Sequence, residues 1–229
     1  MRQLNPKNKE TLDHIQLVEN KAREFFDCVK QKRPSTDEDV THLQKAFQAL
    51  KETSPFVKEL KVLQVASVLM SITKSNKKGM LQEIKTGEGK SIIGRLTCAC
   101  FFLKGQKVTI IFSAENLAKR EYNESLAFFK KLEITSELCF EFRNRSTEEK
   151  NKNNIYLKAH VLLSTMKELC FDEISDMQNN NVYEPTPEDA ENKEFASFKG
   201  KYFRKCREND ILIVDEVDNM LIDQKAQTS

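Results

Sequence analysis

The sequence predicts an α/β fold, a parallel sheet with helices on both faces preceded by an N-terminal helical appendage. Three observations carry this reading. Short apolar runs such as Val108-Thr109-Ile110-Ile111-Phe112 and Ile211-Leu212-Ile213-Val214 have the length and branched content of buried parallel strands. They alternate with longer segments of helical periodicity, the pattern that calls for right-handed crossovers. Two polar stretches, residues 83–91 and 215–218, carry the residue types that ligand sites place at the carboxyl edge of such a sheet.

Residues 1–55 form the helical appendage. Leu12, Ile15, Val18, Ala22, Phe25, Phe26 and Val29 recur at roughly 3.6-residue spacing and make one amphipathic helix. Pro34 ends its approach. Thr36 opens a capping pattern, Asp37 and Asp39 suit a helix N-terminus, and residues 40–50 follow as a second helix that packs on the domain or meets a partner. Residues 56–229 form the second division. It opens, after Ser54-Pro55, with a helix over 56–72 that carries Gln64, and residues 75–79 are a polar break.

The α/β rhythm then begins. Residues 80–84 read as a first strand, followed by the polar stretch and a helix reaching Leu103, which Lys104-Gly105-Gln106 stops. Residues 108–112 are a second strand. Residues 114–132 are a helix with Leu117, Leu126, Phe128 and Phe129 for its buried side. Residues 138–142 make a third strand, 161–163 a fourth, and a fifth ends at Val214. Residues of about 176–200, with Asn179-Asn180-Asn181, Pro185 and Pro187, read as a long surface insertion.

Composition narrows the function classes. With 37 basic and 35 acidic residues, a net charge of +2 is too balanced for a general nucleic-acid surface. Two small basic knots, Lys74/Lys77/Lys78 and Arg143/Arg145, read as solvated loops. The longest apolar run, over 92–103, is broken by Gly94 and Arg95 and falls short of the ~20 residues a bilayer demands. No signal peptide opens the chain, so a cytoplasmic protein is expected. The six cysteines show no C-x-x-C pair and no histidine at ligand spacing, and read as reduced structural thiols. His14, His42 and His160 are isolated and read as structural.

The stretch Glu83-Ile84-Lys85-Thr86-Gly87-Glu88-Gly89-Lys90-Ser91 is the strongest chemical signal. Gly87 and Gly89 allow backbone N–H groups to turn onto phosphate oxygens with no Cβ in the way. Lys90 then reaches the β- and γ-phosphates, Ser91 offers a hydroxyl to Mg²⁺, and a helix starting near Lys90 points its positive dipole end at the anion. The leading glycine of G-x-x-x-x-G-K-[ST] is absent, its place being taken by Ile84. The counterpart is the strand end Asp215-Glu216. Asp215 is placed to hold Mg²⁺ and Glu216 to orient and deprotonate the attacking water.

These residues resemble the SecA preprotein translocase ATPases. Lys85-Thr86-Gly87-Glu88-Gly89-Lys90-Ser91 looks like that family's R-T-G-E-G-K-T loop, which also lacks the leading glycine, and Asp215-Glu216-Val217-Asp218-Asn219-Met220-Leu221-Ile222-Asp223 looks like its D-E-V-D-S-I-L-I-D. Residues 113–121 are similar to N-D-Y-L-A-x-R-D, and residues 164–173 to G-T-N-N-E-F-G-F-D-Y. The resemblance covers about residues 56–229 and only the first, DEAD-like motor domain. It implies a RecA-like P-loop NTPase core. It also implies that Gln64 reads adenine, that Thr86, Gly87, Glu88, Gly89, Lys90 and Ser91 hold the nucleotide, and that Ser91 and Asp215 bind Mg²⁺. A second RecA-like domain is implied to complete the ATPase, with a preprotein substrate, a membrane translocation channel and a peripheral position at that membrane. Ser164 and Met166 replace a glycine and an asparagine in the loop that couples nucleotide state to movement, and Lys85 replaces an arginine, losing its planar fork of donors.

Two further function classes compete with a translocase motor. One is a non-catalytic, nucleotide-dependent interaction module whose N-terminal helices recruit a partner. The other, weaker, is an RNA helicase of the D-E-A-D type, against which T-G-E-G-K-S and D-E-V-D-N-M-L-I-D weigh.

Overall fold

The computed structural model describes residues 6–73, 79–139, 155–180 and 182–216. The chain divides into two compact units, Met1–Lys104 and Gly105–Ser229. The first is helical. It holds α1 (Pro6–Gln31), α2 (Glu38–Thr53), α3 (Val62–Thr73) and α4 (Lys90–Leu103). α1 packs on α2 and α3, and α4 packs on both α2 and α3, so the two N-terminal helices share one core with the helices that follow. Phe25, Leu43, Leu50, Leu69 and Leu96 are fully buried there. Of the α1 stripe, Val18, Ala22 and Phe25 are buried while Leu12, Ile15 and Val29 stay exposed.

The entry to α2 is built as its sequence suggests. Asp37 is the N-cap and accepts from the Val40 amide at 3.1 Å. Lys21 bridges Asp37 and Asp39, each at 2.7 Å, and Lys104 at the end of α4 pairs with Asp39 and donates to the Ile72 carbonyl at 2.7 Å. Burial opposes ionisation of Asp39, but hydrogen bonds from Lys104 and Lys21 outweigh it and hold the carboxyl below its ordinary value.

Two expectations for this unit are corrected. The helix anticipated over 56–72 begins only at Val62, because the Gln64 side chain folds back to accept from the Lys61 amide at 3.0 Å and caps the start there. Residues 80–84 form no strand. Gln82 Nε2 donates instead to the Ser67 carbonyl at 3.1 Å and the Ser71 hydroxyl at 3.0 Å, tying this irregular segment to α3.

The second unit carries a parallel sheet of four strands rather than five. Its strands are β1 (Val108–Phe112), β2 (Ser136–Leu138), β3 (Val161–Thr165) and β4 (Ile211–Val214), in the order β2-β3-β1-β4. β1 is central, with Val108 opposite both Val161 and Ile211. Its five residues are all buried, as the unbroken apolar run requires. β2 starts two residues before the anticipated 138, because the Thr135 carbonyl receives the His160 and Val161 amides and sets the register. Residues 140–142 of that expected strand lie outside the described residues.

α5 (Glu115–Lys131) packs on β1, β2 and β3. It buries Ala118, Ser125, Phe128 and Phe129, whereas Leu126, expected inside, is 44% exposed. After α6 (Ile155–Lys158) comes α7 (Met166–Asn179), a helix the periodicity did not announce. Its signal is local: Thr165-Met166-Lys167-Glu168 has the S/T-x-x-E capping spacing, and Thr165 Oγ1 accepts from the Glu168 amide.

Residues 176–200, expected as a surface insertion, are in part built into the core. The Asp176 carboxylate accepts the Arg204 amide at 2.9 Å, and Tyr183, 1% exposed, packs edge-on against Phe203 with centroids 6.0 Å apart. α8 (Pro187–Ala190) and α9 (Lys193–Ala196) lie in this region. Lys107, just before β1, grips it by an ion pair to Glu194 at 2.6 Å and by lying over the Phe195 and Phe198 rings.

A buried arginine locks the amino edge of the sheet. Arg207, in the 3₁₀ turn Arg204–Arg207, donates to Thr109 Oγ1, to the carbonyls of Tyr156 (3.1 Å), Ala159 (2.6 Å) and Val108 (3.0 Å), and to the Asp210 carboxylate. Contacts from all three nitrogens of the planar fork thus join β1, the turn before β3 and the turn before β4. The cysteines at 28, 98, 100, 139 and 206 are buried, Cys170 is exposed, and all six are free thiols. Among the described residues, no helix is long and apolar enough to cross a membrane.

Candidate functional site

The glycine-loop candidates belong to the helical unit. Gly87 and Gly89 both take left-handed backbone angles, φ 86° and 87°, which a side chain would strain. At Gly89 space is closed as well, since a Cβ there would collide with Nε2 of Gln64. Gly89 is the N-cap of α4 and brings no side-chain oxygen, so nothing from the cap competes for the first-turn N–H groups. Those groups, at the positive end of a 14-residue helix, suit an anion. Thr86, Gly87, Lys90 and Ser91 are exposed to solvent, with Glu88 and Gly89 half-buried.

Gln64 is 5% exposed and works on the loop itself. Its Oε1 accepts from the Lys61 amide and its Nε2 donates to the Glu88 carbonyl, both at 3.0 Å. α3 is thereby pinned to the glycine turn. Lys61 and Glu88 add an exposed ion pair at 3.0 Å, of the kind that contributes ~1 kcal/mol or less.

In the second unit, the acidic candidates lie at the carboxyl edge of the sheet. The Asp215 amide donates to the Ile111 carbonyl at 2.9 Å and carries the β1–β4 ladder one step past Val214. Glu216 then turns out of the ladder with φ 55°, a left-handed angle uncommon for a residue with a Cβ. Asp215 is half-buried and Glu216 exposed. Ser113, following β1, donates its hydroxyl to Glu216 Oε2 at 2.8 Å. Neighbouring β3 ends at Ser164, fully buried, and Thr165, the cap of α7. Residues 217–223 of the D-E-V-D-N-M-L-I-D stretch lie outside the described residues, as do the basic knots at 74–78 and 143–145.

Reading residues alone missed Ser113 as a partner of Glu216, although it opens a stretch singled out for other reasons. A buried polar cluster behind the sheet was also missed. Tyr156 and Cys139 both donate to Asp172 Oδ2, with Cys139 Sγ 2.8 Å from the tyrosine oxygen. Burial, aided by the Asp172 charge, pushes the Cys139 thiol up to about 12, so it is a proton donor and no nucleophile.

Chemically, the loop offers a cation, a hydroxyl and helix N–H groups, and the strand end offers two carboxylates. Among the described residues no group of three or more His, Cys, Asp or Glu side chains forms a metal cage. Mg²⁺ needs none, since it binds through one or two protein oxygens together with substrate phosphates and water, and the Ser91 hydroxyl of the first unit and the Asp215 carboxylate of the second are each a hard oxygen of that kind.

The chain is similar to known proteins along most of its length. Protein translocase subunit SecA of Ehrlichia canis is 28% identical over 209 residues, 91% of this chain and 21% of that protein. The subunit of the same name from Clostridium tetani is 27% identical over 210 residues, 90% of the chain and 21% of that protein, and that of Diacronema lutheri 30% over 182 residues, 80% and 17%. The chain therefore spans about a fifth of the length of these relatives. The SecA DEAD-like domain family matches residues 2–229, and the chain belongs to that family.

Proposed function

We propose that this chain is the nucleotide-binding part of a SecA-like ATPase motor that drives protein translocation. The left-handed turn at Gly87 and Gly89 leading into an uncapped helix start at Lys90 is the observation that carries nucleotide binding. Lys90 neutralises the β- and γ-phosphates, Thr86 to Gly89 line them with backbone N–H groups, and Gln64, besides bracing Glu88, reads adenine. Ser91 and Asp215 hold Mg²⁺, which when bound screens phosphate charge and orients the γ-phosphoryl group.

Glu216 acts as general base. It takes a proton from water, the water oxygen bonds to the γ-phosphorus, and the bond from that phosphorus to the bridging oxygen breaks with its electron pair leaving on ADP. A second RecA-like domain supplies the arginines that neutralise developing charge, a contribution that elsewhere reaches about 10³–10⁵ in rate. A preprotein substrate, a membrane channel and a position in the cytoplasm, peripheral to the membrane, complete the proposal. The names of the relatives support translocation, since each is a translocase subunit.

Calorimetric titration of Mg-ATP into the purified chain, its Lys90→Ala variant and its Glu216→Gln variant tests this reading. Binding by the unmodified chain, lost in Lys90→Ala and kept in Glu216→Gln with turnover gone, is expected. Binding that Lys90→Ala leaves intact would sink the site. Binding with no turnover in any preparation, including one mixed with a second motor domain, would make the chain a nucleotide-dependent interaction module instead.

A further inference from the structure

The carboxyl edge contains one contact that the proposed chemistry does not itself require. Glu216 leaves the β4 ladder through a left-handed residue, φ 55°, a conformation that costs a side-chain-bearing residue on the order of 1 kcal/mol. The preceding Asp215 amide is still held by the Ile111 carbonyl at 2.9 Å, so the ladder is intact up to the residue before the turn. The result of that turn is that the carboxylate meets the end of the adjacent strand, where Ser113 donates to Oε2 at 2.8 Å. Strained backbone that persists at a strand end is held there by its surroundings.

We propose that Ser113 is the positioning residue for Glu216, holding one carboxylate oxygen so that the other, Oε1, faces the attacking water. This rests on the reading of Glu216 as general base and assigns the group that orients it. The arrangement follows the general logic of a base oriented by a third group. A carboxylate on an exposed strand end otherwise samples several rotamers, and misplacement of a reacting group by about 1 Å costs up to 10²-fold in rate. One hydroxyl bond to a charged acceptor is strong enough to select one of them. A threonine in place of Ser113 keeps the hydroxyl, whereas alanine removes it with little change of volume.

The experiment compares Ser113→Ala, Ser113→Thr, Glu216→Gln and the double variant Ser113→Ala/Glu216→Gln in the full chain, by ATP turnover and by carbon NMR of side-chain-carboxyl-labelled glutamate. Glu216→Gln identifies the Glu216 resonance. The expected result is that Ser113→Ala moves that resonance and lowers kcat about tenfold with KM for ATP unchanged. Ser113→Thr restores both, and Ser113→Ala costs nothing further in the Glu216→Gln background. A Glu216 resonance that is the same in Ser113→Ala and the unmodified chain overturns the inference, and that readout needs no turnover. Full turnover in Glu216→Gln would instead remove the general base and leave the Ser113 contact without a catalytic role. Loss of turnover in Glu216→Gln beside normal kcat in Ser113→Ala would remove only the positioning role.

Discussion

The two edges of the parallel sheet are held in opposite ways. At the amino edge, Arg207 is buried and directs its donors to Thr109, Asp210 and three carbonyls, drawn from β1 and from the approaches to β3 and β4. At the carboxyl edge, Glu216 is exposed, its backbone is left-handed, and its side chain accepts from Ser113. Polar groups at the first edge are consumed by the fold. Those at the second are presented by it. The contrast is the one expected if, as proposed, the carboxyl edge carries the chemistry and the amino edge carries the rigidity.

The largest effect should come from breaking the clamp. Arg207→Ala leaves the Asp210 carboxylate and three carbonyls without their partner, and urea denaturation should show a loss of about 3–5 kcal/mol. A loss under about 1 kcal/mol would mean the amino edge is no more fixed than the other. Substitution at the opposite edge should have the reverse sign. Glu216→Gly removes the Cβ from a left-handed position, relieving about 1 kcal/mol, and glycine's extra unfolded entropy returns part of that. A net gain of roughly 0.5 kcal/mol in stability, with turnover abolished, would sharpen the contrast between the edges. A net loss would show that the Ser113 contact outweighs the strain.

The smallest effect is one of pH, again at the amino edge. Burial, with Lys107 and Arg207 nearby, lowers the His160 pKa, Glu194 opposing them. Its Nδ1 accepts from the Thr135 amide at 3.1 Å, which requires the neutral ring. A folded-state pKa below the unfolded value of about 6.5 means that the unfolded chain takes up the proton first. The contribution is whole above about pH 6.5 and declines as pH falls through it. Stability measured from pH 8 to 5.5 should fall more steeply in the unmodified chain than in His160→Asn.

Much of the fold was legible beforehand because it depends on local pattern. α4 starts and stops where Lys90 and Lys104 predict, and the strands β1 and β4 fall at 108–112 and up to Val214. Of these two strands only β1 is buried: β4 lies last in the strand order and leaves Leu212 54% exposed, against the buried strand its apolar run suggests. The glycine turn was legible for the same reason, since left-handed glycines at 87 and 89 answer to residue type alone. Residues 80–84 misled because a short stretch with apolar ends says nothing of whether a neighbouring strand exists. There, side-chain bonds from Gln82 to α3 take the place of a ladder. α7 was overlooked since its apolar residues Phe171, Ile174 and Met177 stay exposed, leaving only the Thr165–Glu168 cap as a signal.

By itself the sequence determined the parallel α/β class, the glycine turn, the acidic strand end and the family, because each is written in residues adjacent along the chain. Tertiary structure alone decided that Ser113 reaches Glu216, 103 positions away, and that Tyr183 enters the core. It likewise brought Arg207 to Thr109 across 98 positions. Such contacts depend on strand order and register, which bring β1 beside β4, and no local periodicity encodes which strands become neighbours.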